Sequence, residues 1–504
     1  MRKSALLIFG VLLLATVGIV GAQGYPDSGT AVTNAIIQNL ATGNGETATV
    51  IVQYYNESGG SPVYTNSNLT IDPKAVKEVK TDNEPLPAGF TGAAVVSADR
   101  PIAAVTSIRN ENVPGAADSR TQGAYNGADS GSETLYFPSF WAFQFIVSTF
   151  TVQNTESTTA NIAIDFYKRD GTFVGTKNDS IPGFGSKTYH GGTASDWPGN
   201  TIPAGFLDGA ITVRSTNGVN LAGVSTAAWN STFGAYQALT EADQGTVLYS
   251  PVSYRFDIGN PITNAQAPFL WSAVNIQNTS DSQSAPITIE FYNRSTGNLD
   301  LSLDFTIPPG SAVGANTFNG GNFNWQDFLA LTPNGNWDGS VKVISDNSIP
   351  LVGTGIVGWG RQDKSSLFAL IPQGKASNTL FVPAQYRLDY GTGSFAQWSS
   401  LNLQNVSNQT VDRADLTIEY IDTNGNSVKT ITGNTLPSNL APGAAVGLNT
   451  NNGGDLAASE FNSFGFSFIG GIVVSSSDPN DVFVATSNID YLDRASTYNA
   501  IPEP

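Results

Sequence analysis

The chain has 504 residues, a formal net charge of −18, one histidine and no cysteine. This rules out histidine clusters, cysteine metal sites and disulfides, and makes nucleic acid or an anionic membrane surface a poor partner. Charged residues are 13% of the chain, against about 25% in ordinary domains; Asn, Ser and Thr supply the polarity instead, as is usual outside the cell.

In chain order, Arg2 and Lys3 precede an apolar run from Ala5 to Ala22, with Val20 and Ala22 placed as the −3 and −1 residues of a cleavage site. Residues 1–22 read as a secretory signal peptide; the alternative is an uncleaved anchor, since the run approaches spanning length. Removing Arg2 and Lys3 with the leader takes the charge from −18 to −20. No second apolar run of spanning length occurs, so the mature chain is expected to be secreted to the extracellular cell surface with no membrane span.

Beyond the leader the chain is one unit repeated. In its second copy, apolar residues alternate with polar ones through Thr149 to Asn154 and Ile162 to Tyr167, and again around Ile211, Val213 and Val224. Gly, Pro and Asn break the runs, the pattern of half-buried antiparallel strands. Gln153 and Asn154 return as Gln38 and Asn39, Gln277 and Asn278, and Gln404 and Asn405, at spacings of 115, 124 and 127 residues. The inward aromatic Phe166 returns as Tyr54, Phe291 and Tyr420, and Gly209 as Gly92, Gly339 and Gly470. These landmarks predict β-sandwich repeats at 23–112, 132–231, 246–362 and 377–493, each of a size to bury its own core. Leu135, Tyr136 and Pro138, with counterparts Leu248, Tyr249 and Pro251 and Leu380, Phe381 and Pro383, predict an opening edge strand where Pro is tolerated. The predicted fold class is all-β: four tandem immunoglobulin-like antiparallel β-sandwich modules after a signal peptide.

The first repeat has no such opening strand after the leader, and the extended C-terminal tail, 494–504, begins another inter-module segment and stops. Two readings are open: frayed termini, or head-to-tail strand addition in which Tyr498, Ala500 and Ile501 form an assembly tail.

The run Val152, Gln153, Asn154, then Ile162, Ile164, Phe166 and Tyr167, then Ile181, Pro182 and Gly185, resembles the β-sandwich modules described as cell-adhesion-related domains of bacterial surface proteins. The resemblance implies an extracellular tandem of sandwiches and carries over no catalytic or ligand residue.

The chemistry inventory is thin. A serine triad would need His190, and no Gly-x-Ser-x-Gly elbow lies near it, so the chain is expected not to be an enzyme. Asp165, Glu290 and Glu419 occupy one outward strand position and read as a solvated face. Calcium is the one candidate cofactor, through Asp422, Asn424 and Asn426 and through Asp478 and Asp481. Asx-rich turns without an ion are the alternative. Sequons stand at Asn56, Asn68, Asn178, Asn230, Asn278, Asn293, Asn405 and Asn408. Trp197, Trp229, Trp325, Trp337 and Trp359 are candidates for sugar stacking, whereas the repeated Trp271 and Trp398 read as packing.

Two functions of different class remain. One is a secreted structural cell-surface protein that self-assembles into a filament, sheath or surface layer, its partner being itself. The other is a secreted adhesin or carbohydrate-binding protein that meets cell-surface glycans through loop aromatics.

Overall fold

The computed structural model describes residues 8–12 and 30–503, apart from 44, 112–119, 129, 144–145, 207, 230–231, 257–269, 333–335, 360–363, 390–394 and 492–493. Its regular structure is antiparallel strands with short 3-10 turns between them, and the expectation of tandem β-sandwiches is met. In the second unit one sheet runs in the order Phe173–Ile181, Ala160–Lys168, Asp208–Ser215, Thr134–Trp141. The other runs Ser186–His190, Ile146–Asn154, Leu221–Trp229, Thr232–Gln237. Period-two alternation turns Val152, Ile162, Ile164, Phe166, Ile211 and Val213 into the space between the sheets, where all are buried.

Each recurring landmark has a physical job. The inward aromatics Tyr54, Phe166, Phe291 and Tyr420 are all core residues. Gly92, Gly209, Gly339 and Gly470 let the neighbouring strand come close: a Cβ at any of them would sit 1.9 to 2.2 Å from the carbonyl oxygen of Tyr55, Tyr167, Tyr292 or Ile421. The Asn of each pair is a fully buried clamp. Asn154 Nδ2 donates to the carbonyls of Thr158 and Ile181, while its Oδ1 accepts from the Glu156 N–H; Asn39, Asn278 and Asn405 make the corresponding bonds. Pro251 and Pro383 fall where their strands slip register, between Ser250 and Ser253 and between Val382 and Gln385. Past the slip Val247–Phe256 and Thr379–Asp389 keep the same neighbour, and only their last residues pair as well with Leu270–Asn278 and Phe395–Asn405; at the slip a proline costs no ladder bond.

The segments after the predicted boundaries 112, 231, 362 and 493 are strands of the units they follow. Arg120–Asn126, Thr232–Gln237, Lys364–Ala369 and Ala495–Asn499 each pair with the strand before them, and the four pack in sequence about one axis. Gln122 Nε2 donates to Ser496 Oγ (2.8 Å), Thr232 and Ser365 share a hydroxyl bond (2.8 Å), and Thr497 Oγ1 donates to Ser366 Oγ (2.7 Å). Asn126 and Asn499 exchange two bonds, of 2.7 and 2.9 Å. The fourth unit therefore meets the first and the tandem closes into a ring, with Lys74 and Glu419 paired at 3.0 Å across the closing interface.

Ring closure corrects the reading of the C-terminus. Tyr498 is 1% exposed in the fourth unit's own core; its hydroxyl donates to the Ala384 carbonyl (2.7 Å) and accepts from the Ala384 N–H (3.0 Å), as Tyr236 does with Ser139 in the second unit. Ala500 is buried, and Ile501 pairs with Phe381. These residues complete their own sandwich and are not a free assembly tail. The partner of Tyr498 lies 114 positions earlier, a separation that no local pattern reveals.

At the other end, the position held by Thr134–Trp141, Val247–Phe256 and Thr379–Asp389 is filled in the first unit by Ile8–Leu12. This strand runs antiparallel to Gly92–Ala98, with Ile8 opposite Ala98 and Leu12 opposite Ala94. It comes from the stretch read as leader; leader residues 1–7 and 13–22 lie outside the described residues. A chain begun at Gln23 lacks this strand, so the outer edge of Gly92–Ala98 loses its ladder partner. Its amides are expected to exchange with deuterium at least about tenfold faster than those of Asp208–Ser215, because protection tracks local opening; equal protection would contradict the assignment of that edge position.

Candidate functional site

Neighbouring units meet through one repeated contact, in which the residue after each inward aromatic packs on the turn of the next unit. Tyr55 stacks on Phe184 with ring centroids 5.2 Å apart, and Tyr167 and Tyr292 occupy the space that a Cβ on Gly310 or Gly443 would take. Two of the landmark glutamines reach the same way: Gln277 Nε2 donates to Thr212 Oγ1 (3.1 Å) and Gln404 Nε2 to Ser340 Oγ (2.8 Å), each in the preceding unit.

Between the second and third units this contact opens into a cleft of about 570 Å³. Its third-unit wall is one face of Leu270–Asn278. Val274 and Ile276 point into that unit's core, so Trp271, Ala273, Asn275 and Gln277 fall on the opposite face. Trp271 lies half-buried over Gly358 of the adjacent strand. From the second unit come Trp141, Phe143, Ile146 and Asp208, together with Arg169 from the turn after Ala160–Lys168. Phe318, Asn319 and Asn322 close the far side.

The polar groups converge on one guanidinium. Arg169 Nε donates to Asp208, and Nη2 donates to Asn275 Oδ1 at 2.7 Å. Asn322 Oδ1 accepts from the Gly314 N–H at 2.8 Å, beside the guanidinium. Arg169 Nη1 and Asn275 Nδ2 are buried with no hydrogen-bond partner, an expensive state for two donors.

The cleft between the third and fourth units is built from the same positions; there the guanidinium is satisfied, while Asn402 Nδ2, the counterpart of Asn275 Nδ2, and Asp338 Oδ1 are buried without a partner. Arg294 Nη1 donates to Asp338 (2.9 Å) and Nε to Asp455 (3.2 Å), while Asp455 also accepts from the Gly447 N–H (2.7 Å). The Tyr254 hydroxyl, at the place of Trp141, interacts with Arg294 as well. Burial, reinforced by Asp455, raises the Asp338 carboxyl to about 6 against the pull of Arg294. Asp338 matches Asp208, but Asp455 matches Asn322: the second cleft lacks one carboxylate.

The candidates read from sequence are distributed otherwise. Trp197 and Trp337 are core residues, stacked or edge-on against Phe166 and Phe291; Trp359 lies under Lys364 Nζ at 4.9 Å; Trp325 is half-buried, and the side chain of Trp229 lies outside the described residues. Trp271 forms the cleft wall and Trp398 faces Lys364, so the repeated pair is not simply core packing. The signal for this lies in the strand itself: alternation that buries Val274 puts Trp271 on the other face.

Asp422 Oδ1 accepts from the N–H groups of Asn424 and Asn426 (2.8 and 2.9 Å). Burial pushes this carboxyl up, and the bonds from Asn426 and Asn424 more than offset that and hold it below its usual range. Asp478 is held by Asn480, and Asp481 by Ser476 and Gln409. Both are turn braces, and among the described residues no three His, Asp or Glu gather as a metal set. Asn278 and Asn405 cannot carry a glycan in this fold, because the buried Nδ2 of each is the clamp donor. Asn68, Asn178 and Asn408 are exposed, Asn56 and Asn293 half-buried, and Asn230 lies outside the described residues. His190 Nδ1 accepts from the Gly192 N–H (3.0 Å) in a turn. Asp165, Glu290 and Glu419 are ion-paired with Arg214, Lys342 and Lys74 instead of solvated.

No family model matches this chain, and no curated protein does. Among solved structures, the tandem CBM22-1-CBM22-2 domain of Xyn10C from Paenibacillus barcinonensis aligns at 10% identity over 70% of this chain and 100% of that one, with a TM-score of 0.13. That likeness is too slight to inform fold or function.

A Cβ at Gly314 would lie 2.8 Å from Asn275 Oδ1 and 3.1 Å from Arg169 Nη1. Gly314→Ala is therefore expected to displace the Arg169–Asn275 pair and cost about 1–3 kcal/mol in denaturant unfolding. An unchanged midpoint would contradict the packing described.

Proposed function

We propose that this chain is an exported, non-catalytic surface protein that binds carbohydrate in the cleft between its second and third sandwiches. The observation that carries this reading is the pairing of a half-buried tryptophan wall with two buried donors that no protein group satisfies. Aromatic faces with a few fixed polar groups are what a sugar-sized ligand needs: the ring stacks, and the donors set orientation. The leader pattern, the absence of cysteine and the likeness of the repeated landmark to cell-adhesion-related modules are in keeping with export and display. The engaged ring of His190 and the ion-paired strand carboxylates favour recognition over hydrolysis.

A second reading, assembly between copies, rests on the edge of Gly92–Ala98, which loses its strand when the chain starts at Gln23. Exposed strand edges accept strands from other chains. The donor must then be a segment other than 495–502, since those residues are already paired.

Residues 23–504 screened against a panel of immobilised oligosaccharides are expected to bind a subset, with Trp271→Ala weakening binding at least tenfold, or about 1.4 kcal/mol. Binding to no glycan, alongside ordered polymers in negative stain, would overturn the recognition reading in favour of assembly.

A further inference from the structure

Resting on that proposed carbohydrate reading, we infer that the cleft takes an acidic sugar, one whose ring carries a carboxylate, and that the carboxylate meets Arg169. The molecule supplies its own comparison. Two of the four interfaces place an arginine at the same position, Arg169 and Arg294; the other two place Glu57 and Thr423. Arg294 has two carboxylate partners, Asp338 and Asp455. Arg169 has one, Asp208, and stands beside the Asn322 carboxamide where its counterpart stands beside Asp455.

The unsatisfied atoms, Arg169 Nη1 and Asn275 Nδ2, are both donors; Asn402 Nδ2 is left in the same state in the sister cleft, so the donor that sets this cleft apart is Arg169 Nη1, since every nitrogen of Arg294 there is engaged. A ligand must therefore bring an acceptor. A carboxylate fits best, because charge-assisted bonds to a guanidinium are about twice as strong as neutral ones and because the sister cleft uses a carboxylate for this purpose. Trp271 then offers its face to the sugar ring. Arg169 and Asp208 are the charged residues lining the cleft, so its local balance is neutral. The chain's overall charge of −18 is screened beyond about 8 Å at physiological salt.

Asn322→Asp supplies the missing carboxylate from within, copying the sister cleft. In residues 23–504, oligomers of a hexuronic acid are expected to bind at least tenfold tighter than neutral hexose oligomers of equal length, with affinity falling as salt is raised. In N322D that preference is expected to vanish while the thermal midpoint rises. If N322D does not fold, Arg169→Lys provides the test: the charge remains, the planar fork is lost, and acidic oligomers are expected to bind at least tenfold more weakly. Equal binding of neutral and acidic oligomers, or acidic binding untouched by N322D or R169K, overturns this inference and leaves the carbohydrate reading standing. Absence of binding to either class overturns both.

Discussion

The packing of four equivalent strands about one axis is the constraint on which the other features depend. Each sandwich sends its final strand inward, and these strands touch largely through small or hydroxylated residues, Ala124 and Ala235, Ser365 and Ser366, Ser496 and Thr497, with the Phe233 ring packed against Gly123. Interiors tolerate neither voids nor overlap, so the axis determines how closely neighbouring units approach, and through that the width of the clefts at the periphery. Ala495–Asn499 lies on this axis, which is why its residues are largely buried and paired.

Closure also explains why a chain with no disulfide holds four modest domains in one arrangement. The interfaces share parts: a residue after the inward ring, a turn that receives it and, at two of them, a landmark glutamine bonded to the preceding unit. A repeated interface closed on itself leaves no unit with a bare end face, whereas an open tandem leaves two.

The repeat itself is legible in the sequence. Period-two alternation and the returning Gln-Asn, aromatic and glycine positions specify which residues face each core, and Phe166 and its counterparts occupy the expected places. Alternation says which face is buried within a unit; it is silent on what the other face meets. The ring-closing bonds between Gln122 and Ser496 and between Lys74 and Glu419 join residues 374 and 345 positions apart, so nothing local announces them, and the tail reads as free. The cleft is hidden for the same reason: Arg169 and Asn275 belong to different units. Trp197 sits in a turn that folds back over the core and Trp337 opens the strand Trp337–Ser345, so both lie near strand ends where sequence shows no alternation to bury them. The exchange of Asp455 for Asn322 on an otherwise shared frame is, by contrast, written in the repeats, and a residue-by-residue comparison of the copies exposes it.

The closed ring is tested most directly by small-angle X-ray scattering of residues 23–504. A compact arrangement of this many residues has a radius of gyration of about 23 Å, modestly larger if the clefts are wide. Four such sandwiches strung end to end would give roughly 40 Å by the same domain sizes. A value near the first supports closure between the fourth and first units; a value near the second contradicts it, and with it the geometry of the cleft.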